Sequence, residues 1–268
     1  EQVPAQLGSV AFPTGGFYVL RKARDYVLFN GNPPGTRGVG THKHNDLLSL
    51  EVQLGGEDIL VDSGCFLYTS DPQSYDRFRS TRYHSTVRVD QAEQNRLIPG
   101  KCFCLHPDSR LHPVQWEIGG PVEQVAADHD GYERFSHPVR HRRELRADWL
   151  NRSWQITDHL FSPVTGAHPH CLEWTLTFAP HCSLQPVETG WSVITPKQQL
   201  WLDGPRLFAN GRPVAVSPRL DEEQMAVHYG SATRALFLRW SWEGALPVEG
   251  VFAISSAPPR SREDSRER

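Results

Sequence analysis

The chain has 268 residues, 38% of them apolar, and a formal net charge of −3. That length suits one large domain or two small ones with a substantial core. The near-neutral balance, with both signs interspersed, argues against a nucleic-acid partner, and no apolar run approaches the roughly 20 residues needed to span a bilayer.

Twenty-one glycines and 21 prolines are scattered evenly, a punctuation that favours many short strands over long helices. The first residue is Glu1, with neither an initiator Met nor a signal peptide, so the expectation is a processed or excised chain. Segments 17–20 and 26–29 alternate around a short charged turn and read as a hairpin. The loop Asn32-Pro33-Pro34-Gly35 then delivers the chain to the most informative stretch, residues 40–86.

This stretch begins with His42-Lys43-His44-Asn45-Asp46 and continues into an alternating run over 48–54. Gly55-Gly56 supplies a hairpin signal, and a second apolar run, 59–61, ends at Asp62-Ser63-Gly64. If 42–44 is extended, His42 and His44 share a face. The antiparallel return brings Asp62 towards His44. His84 follows Asp62 by 22 residues, a spacing that fits neighbouring strands better than one local loop. Two imidazoles and a carboxylate form a donor set that suits zinc and leaves a fourth position open. The alternative is that the histidines are polar surface and Asp62 merely stabilises its own turn. His42, about 7 Å from His44 along a strand, is better placed for proton transfer than for joint ligation. Residues 65–83 read as an ordered loop carrying Tyr68, Tyr75, Arg77, Arg79 and Arg82; any of the arginines could clamp a carboxylate or simply be solvated.

Beyond residue 86, strands are expected over 86–89, 114–118, 122–126, 139–147, 153–160, 171–179, 192–195, 199–202, 225–229, 235–242 and 251–255. The clearest is 171–179, where Leu172, Trp174, Leu176 and Phe178 alternate with Glu173, Thr175 and Thr177. Only 219–227 hints at a helical turn or two. The five cysteines include Cys102 and Cys104, read as small buried apolar residues on one strand face. The expected fold is all-β, a large two-sheet antiparallel sandwich over 1–257 with no substantial helices. A charged, disordered tail is expected over 258–268.

Two metal motifs fail. In the cupin pattern the glutamate would follow the histidine pair sooner than Glu51 does. The metallo-β-lactamase pattern needs a histidine where Leu47 stands. The series Thr41-His42-Lys43-His44-Asn45-Asp46, Leu48-Ser49-Leu50, Gly55-Gly56, Asp62-Ser63-Gly64, Arg79-Ser80-Thr81 and His84-Ser85-Thr86 resembles the heparinase II/III-like family, specifically its C-terminal β-sandwich domain. The upstream run from Gly15 to Arg21 is similar to the strand that opens that domain. Thr41 and Ser85 depart from the family's Gly and Asn.

The resemblance implies a zinc held by His44, Asp62 and His84. It also implies His42 and Tyr75 near the reacting atoms, with Asn45 and Arg79 on the substrate. It further implies β-elimination of a uronic-acid polysaccharide, a partnering N-terminal α/α toroid absent from this chain, and a periplasmic or secreted bacterial setting. The competing class is a non-catalytic sandwich that binds acidic glycan or serves structure alone.

Overall fold

The computed structural model describes residues 7–35, 39–166 and 168–258; the charged tail expected after Pro258 lies outside them. Eighteen strands, one seven-residue helix and one short 3₁₀ turn make up the described chain, so the expectation of an all-β fold is met.

The strands form three hydrogen-bonded antiparallel groups. The first runs in chain order: Val10–Phe12, Phe17–Lys22, Asp25–Asn30, Ser49–Leu54 and Glu57–Leu60. The second has four strands, ordered Arg219–His228, Ser231–Ala245, Pro169–Thr177 and Val87–Val89. An isolated bridge, Leu60 to Phe178, joins the last strand of the first group to the end of Pro169–Thr177 in the second. The third is nine-stranded and is built around the long antiparallel run Val122–Tyr132, Val139–Asp148, Ser153–Phe161, Val248–Ser255 and Gln199–Ala209.

One apolar core draws on all three groups, including Phe29 and Val52, Trp174 and Trp240, and Trp154, Ile156 and Phe252. Trp174 and Trp240 stack 6.1 Å apart, and Trp240 meets Phe252 edge-on at 5.6 Å. These offset and edge geometries add to the area the rings bury.

Three local expectations change. The segment with helical hints is the strand Arg219–His228, paired along its length with Ser231–Ala245. Asp221 and Glu223 share a face there, two residues apart, and both bond Arg239. Cross-strand pairing has overridden a weak local period. Second, the loop 65–83 contains the helix Pro72–Phe78, with Asp71 accepting from the Ser74 amide and Pro72 in the first turn; this is an N-terminal signature the sequence displays. Third, Cys102 and Cys104 lie outside any strand and are half-buried, and all five cysteines are free thiols. The Gly55-Gly56 turn is as expected, with φ of 61° and 80° at the two glycines.

Candidate metal centre

The motif residues sit where strands begin and end, on loops that the sheet scaffold holds in place. His44 precedes the strand Ser49–Leu54, Asp62 follows Glu57–Leu60, and His84 ends the 3₁₀ turn Thr81–Tyr83 before Val87–Val89. One ligand atom from each of the three lies within 4.8 Å of the others. His84 Nδ1 is 2.8 Å from Asp62 Oδ2, and the His44 and His84 rings are 5.2 Å apart. Asp62 Oδ1 also accepts from the Gly64 amide at 2.7 Å, which orients the carboxylate.

The electrostatics agree with a cation site. Burial, then the neighbouring His84, push the His44 pKa down to about 4, so its imidazole is neutral and has a lone pair to share. For Asp62 burial favours the protonated form, but the charge and hydrogen bond of His84 outweigh it and hold the carboxyl well below its usual range. The same pairing raises His84 against the opposing effect of burial. His84 Nε2 is buried without a hydrogen-bond partner, an uncompensated polar atom of the kind ligation relieves. Two imidazoles, an ionised carboxylate and an orphaned ring nitrogen fit zinc.

A cleft of about 330 Å³ opens over this group, lined in part by His42, Lys43, His44, Asp46, Glu51 and Asp62. A larger groove of about 500 Å³ lies beneath Trp191, Asp203 and Arg206, and no cluster of metal-ligating atoms is found there among the described residues. Lys43 forms an ion pair with Asp46. Burial, followed by the charges of Asp62, Asp46 and Asp58, lifts Glu51 to about 7. Glu51 occupies the polar position of an alternating strand, which leaves no local signal in the sequence that it is a cleft carboxyl.

The remaining motif residues are placed differently from expectation. His42 is in a turn with φ of 59°, not in an extended strand. It is exposed, 4.8 Å from the Phe103 ring and 5.5 Å from Tyr68. Asn45 is fully buried and bonds Glu93 and Asn95, so it cannot reach a substrate. Arg79 is 1% exposed, with its guanidinium on Asp76 and on the carbonyls of Cys102 and Cys104. Tyr75 is also 1% exposed, packed under Arg79 and against Tyr68. Tyr68 is the half-buried tyrosine that meets His42 edge-on.

The fold and this cluster define a class: a large antiparallel β-sandwich domain with a His-Asp-His group of metal-ligating side chains in an open cleft. The chain belongs to the heparinase II/III-like, C-terminal family, whose model matches residues 4–235. The resemblance in the motif series is thereby borne out.

Among solved structures, heparan sulfate lyase HepC from Pedobacter heparinus superposes with a TM-score of 0.72 at 16% identity, over 95% of this chain and 38% of that one. The heparinase III BT4657 gene product gives 0.71 at 15% identity, over 93% and 36%. A further heparinase III gives 0.68 at 14%, over 91% and 36%. At these identities the likeness is one of fold, and the chain spans little more than a third of each structure. No curated protein matches the sequence.

Proposed function

We propose that His44, Asp62 and His84 hold a zinc ion and that this chain is the zinc-bearing sandwich half of a lyase cleaving uronic-acid polysaccharide by β-elimination. The observation that carries the reading is the approach of the three ligand atoms to within 4.8 Å of one another. It is supported by the family match and by the heparan sulfate lyase and heparinase III names of structures with this fold.

Charge decides what the cleft can accept. Lys43 offsets Asp46, and His44 and His84 must be neutral to ligate, so Asp62 is the one ligand charge set against the ion. Bound zinc supplies a net positive charge there, which makes the cleft favourable for a uronate carboxylate. Burial and the carboxylates of Asp62, Asp46 and Asp58 raise Glu51 to about 7 in the metal-free cleft, and a cation on Asp62 counters that rise. His42, exposed at the cleft, is the proton carrier of this half. Tyr68 takes the tyrosine role first given to Tyr75, because its ring borders His42 while Tyr75 is enclosed. The C5 proton leaves to a base, charge builds on the carboxylate, and the C4–O4 bond then breaks as the C4=C5 double bond forms, with O4 taking a proton from an acid. A helical toroid half across the cleft would supply the remaining groups, in a periplasmic or secreted bacterial setting.

The test uses the protein in its longest natural form, following the ultraviolet absorbance of unsaturated uronate ends. His42→Ala and Tyr68→Phe are expected to lower kcat by 10²-fold or more, on the order of a general acid–base contribution, with zinc content retained. Full activity in both variants would refute the assignment.

A further inference from the structure

The two histidines of the cluster are 40 positions apart in sequence, on segments that belong to no common strand pair. Their spacing must therefore be set by something other than the sheet ladder. The loop Glu93-Gln94-Asn95, which carries no motif, bonds to both of those segments. The Gln94 side chain reads both backbone groups of Leu47, three residues after His44. Its Oε1 accepts from the Leu47 amide at 2.8 Å and its Nε2 donates to the Leu47 carbonyl at 2.9 Å. The Gln94 backbone amide donates at 3.1 Å to Thr81 Oγ1, three residues before His84.

Two further contacts span the same gap. Thr86 Oγ1 donates to the Leu47 carbonyl at 2.8 Å. Glu93 Oε2 accepts from the Thr81 amide and hydroxyl at 2.6 and 2.8 Å and from Asn45 Nδ2 at 3.1 Å. Gln94, Asn45, Thr81 and Thr86 are all at most 1% exposed. From the separate strand Val139–Asp148, Arg143 donates to the carbonyls of Leu48 and Ser85 at 2.7 and 2.6 Å. Its guanidinium is fixed by Asp158 at 2.7 and 2.8 Å.

A buried network that merely satisfied polar backbone would have no reason to choose residues flanking both histidines, from two separate segments. We infer that Gln94 is a positioning residue for the metal centre: with Thr86, and with Arg143 from a separate strand, it fixes the separation of His44 and His84 at ligand spacing. The inference rests on the zinc reading of the cluster. Groups that orient metal ligands without touching the ion typically change metal affinity by 10–100-fold when altered.

The experiment measures zinc affinity of the purified chain by competition with a chromophoric chelator, together with the visible absorption of the cobalt(II)-substituted protein. Gln94→Glu keeps the shape and the acceptor and, at a pH where it is ionised, cannot donate to the Leu47 carbonyl. It is expected to weaken zinc binding at least tenfold and to shift the cobalt bands. Thr86→Val deletes one bond without adding charge and carries the comparison where Gln94→Glu does not fold; about threefold is expected.

The stability control is Asp148→Ala. It removes a carboxylate that accepts from Leu150 and Asn151 in a turn, whose neighbour Trp149 lies beside Gly55 at the far end of the Ser49–Leu54 strand. This control should lower the melting midpoint while zinc affinity stays within about twofold. Folded Gln94 and Thr86 variants with wild-type affinity and unchanged cobalt bands overturn the positioning role and leave the zinc reading standing. A wild-type chain that takes up no zinc overturns both.

Discussion

The buried ion pair behind the cleft allows a quantitative test. Asp158 is fully buried and serves four donors or ring nitrogens: Arg143 Nε and Nη2, His141 Nε2 at 2.7 Å and Trp174 Nε1 at 3.1 Å. Asp158→Ala strands the Arg143 guanidinium in the core, which costs about 3–5 kcal/mol. It also removes the acceptor of the Trp174 indole, about 1 kcal/mol more. A loss of about 4–6 kcal/mol is comparable with the 5–15 kcal/mol total stability of ordinary domains, so the variant should be marginally folded at best. Urea unfolding followed by tryptophan fluorescence reads the loss. Adding Arg143→Met removes the stranded charge, so the double variant should be less destabilised than the sum of the singles by about 2–3 kcal/mol. If Asp158→Ala costs under about 1 kcal/mol, or the double variant is simply additive, the account of this core is wrong.

Three other outcomes follow from the same coordinates. In chelator, stability should fall as pH drops from about 6.5 towards 4. His129 and His141 are fully buried and His44 is half-buried, and all three have depressed pKa values, so the unfolded chain takes up protons the folded one refuses, at up to about 1.4 kcal/mol per pH unit for each group. His84, raised by Asp62 against the effect of burial, acts in the opposite sense: its contribution is complete below about 6.5 and is lost as pH rises through its folded value. Glu51, raised to about 7 from 4.5, protonates in the folded chain first and offsets about one of the three histidine slopes over that window. A flat urea midpoint across pH 4–6.5 would contradict the burial assigned to the three depressed imidazoles. Gly64→Ala should destabilise by about 2 kcal/mol or more, since φ is +71° and a Cβ would meet the Ala226 carbonyl oxygen at 2.4 Å; a neutral effect on the thermal midpoint would count against that close approach. His42→Ala should leave zinc content unchanged, as measured by metal analysis, because His42 stands outside the three-residue ligand group; loss of the metal would redraw the ligand set.

What could be read from the sequence follows from how local each feature is. Strand Pro169–Thr177 alternates because one face of it packs on the core, so period 2 was plain in Leu172, Trp174 and Leu176. The approach of His44, Asp62 and His84 was legible as an order of motifs separated by a turn and two short strands. The turn at His42 was not, because a single left-handed residue leaves no periodic trace. Asn45, Arg79 and Tyr75 look like surface chemistry in a one-dimensional string. They are buried because distant loops, Glu93–Asn95 and the carbonyls of Cys102 and Cys104, come to meet them. Helix Pro72–Phe78 is too short to show a period, although its Asp-Pro start was present.

Metal analysis of the purified chain bears most directly on the central claim. Wild-type protein dialysed against zinc should retain about one ion per chain, and His44→Ala should retain none while keeping its far-ultraviolet circular dichroism. A wild-type chain that is metal-free after the same dialysis, or a His44→Ala variant that holds zinc as tightly, would contradict it.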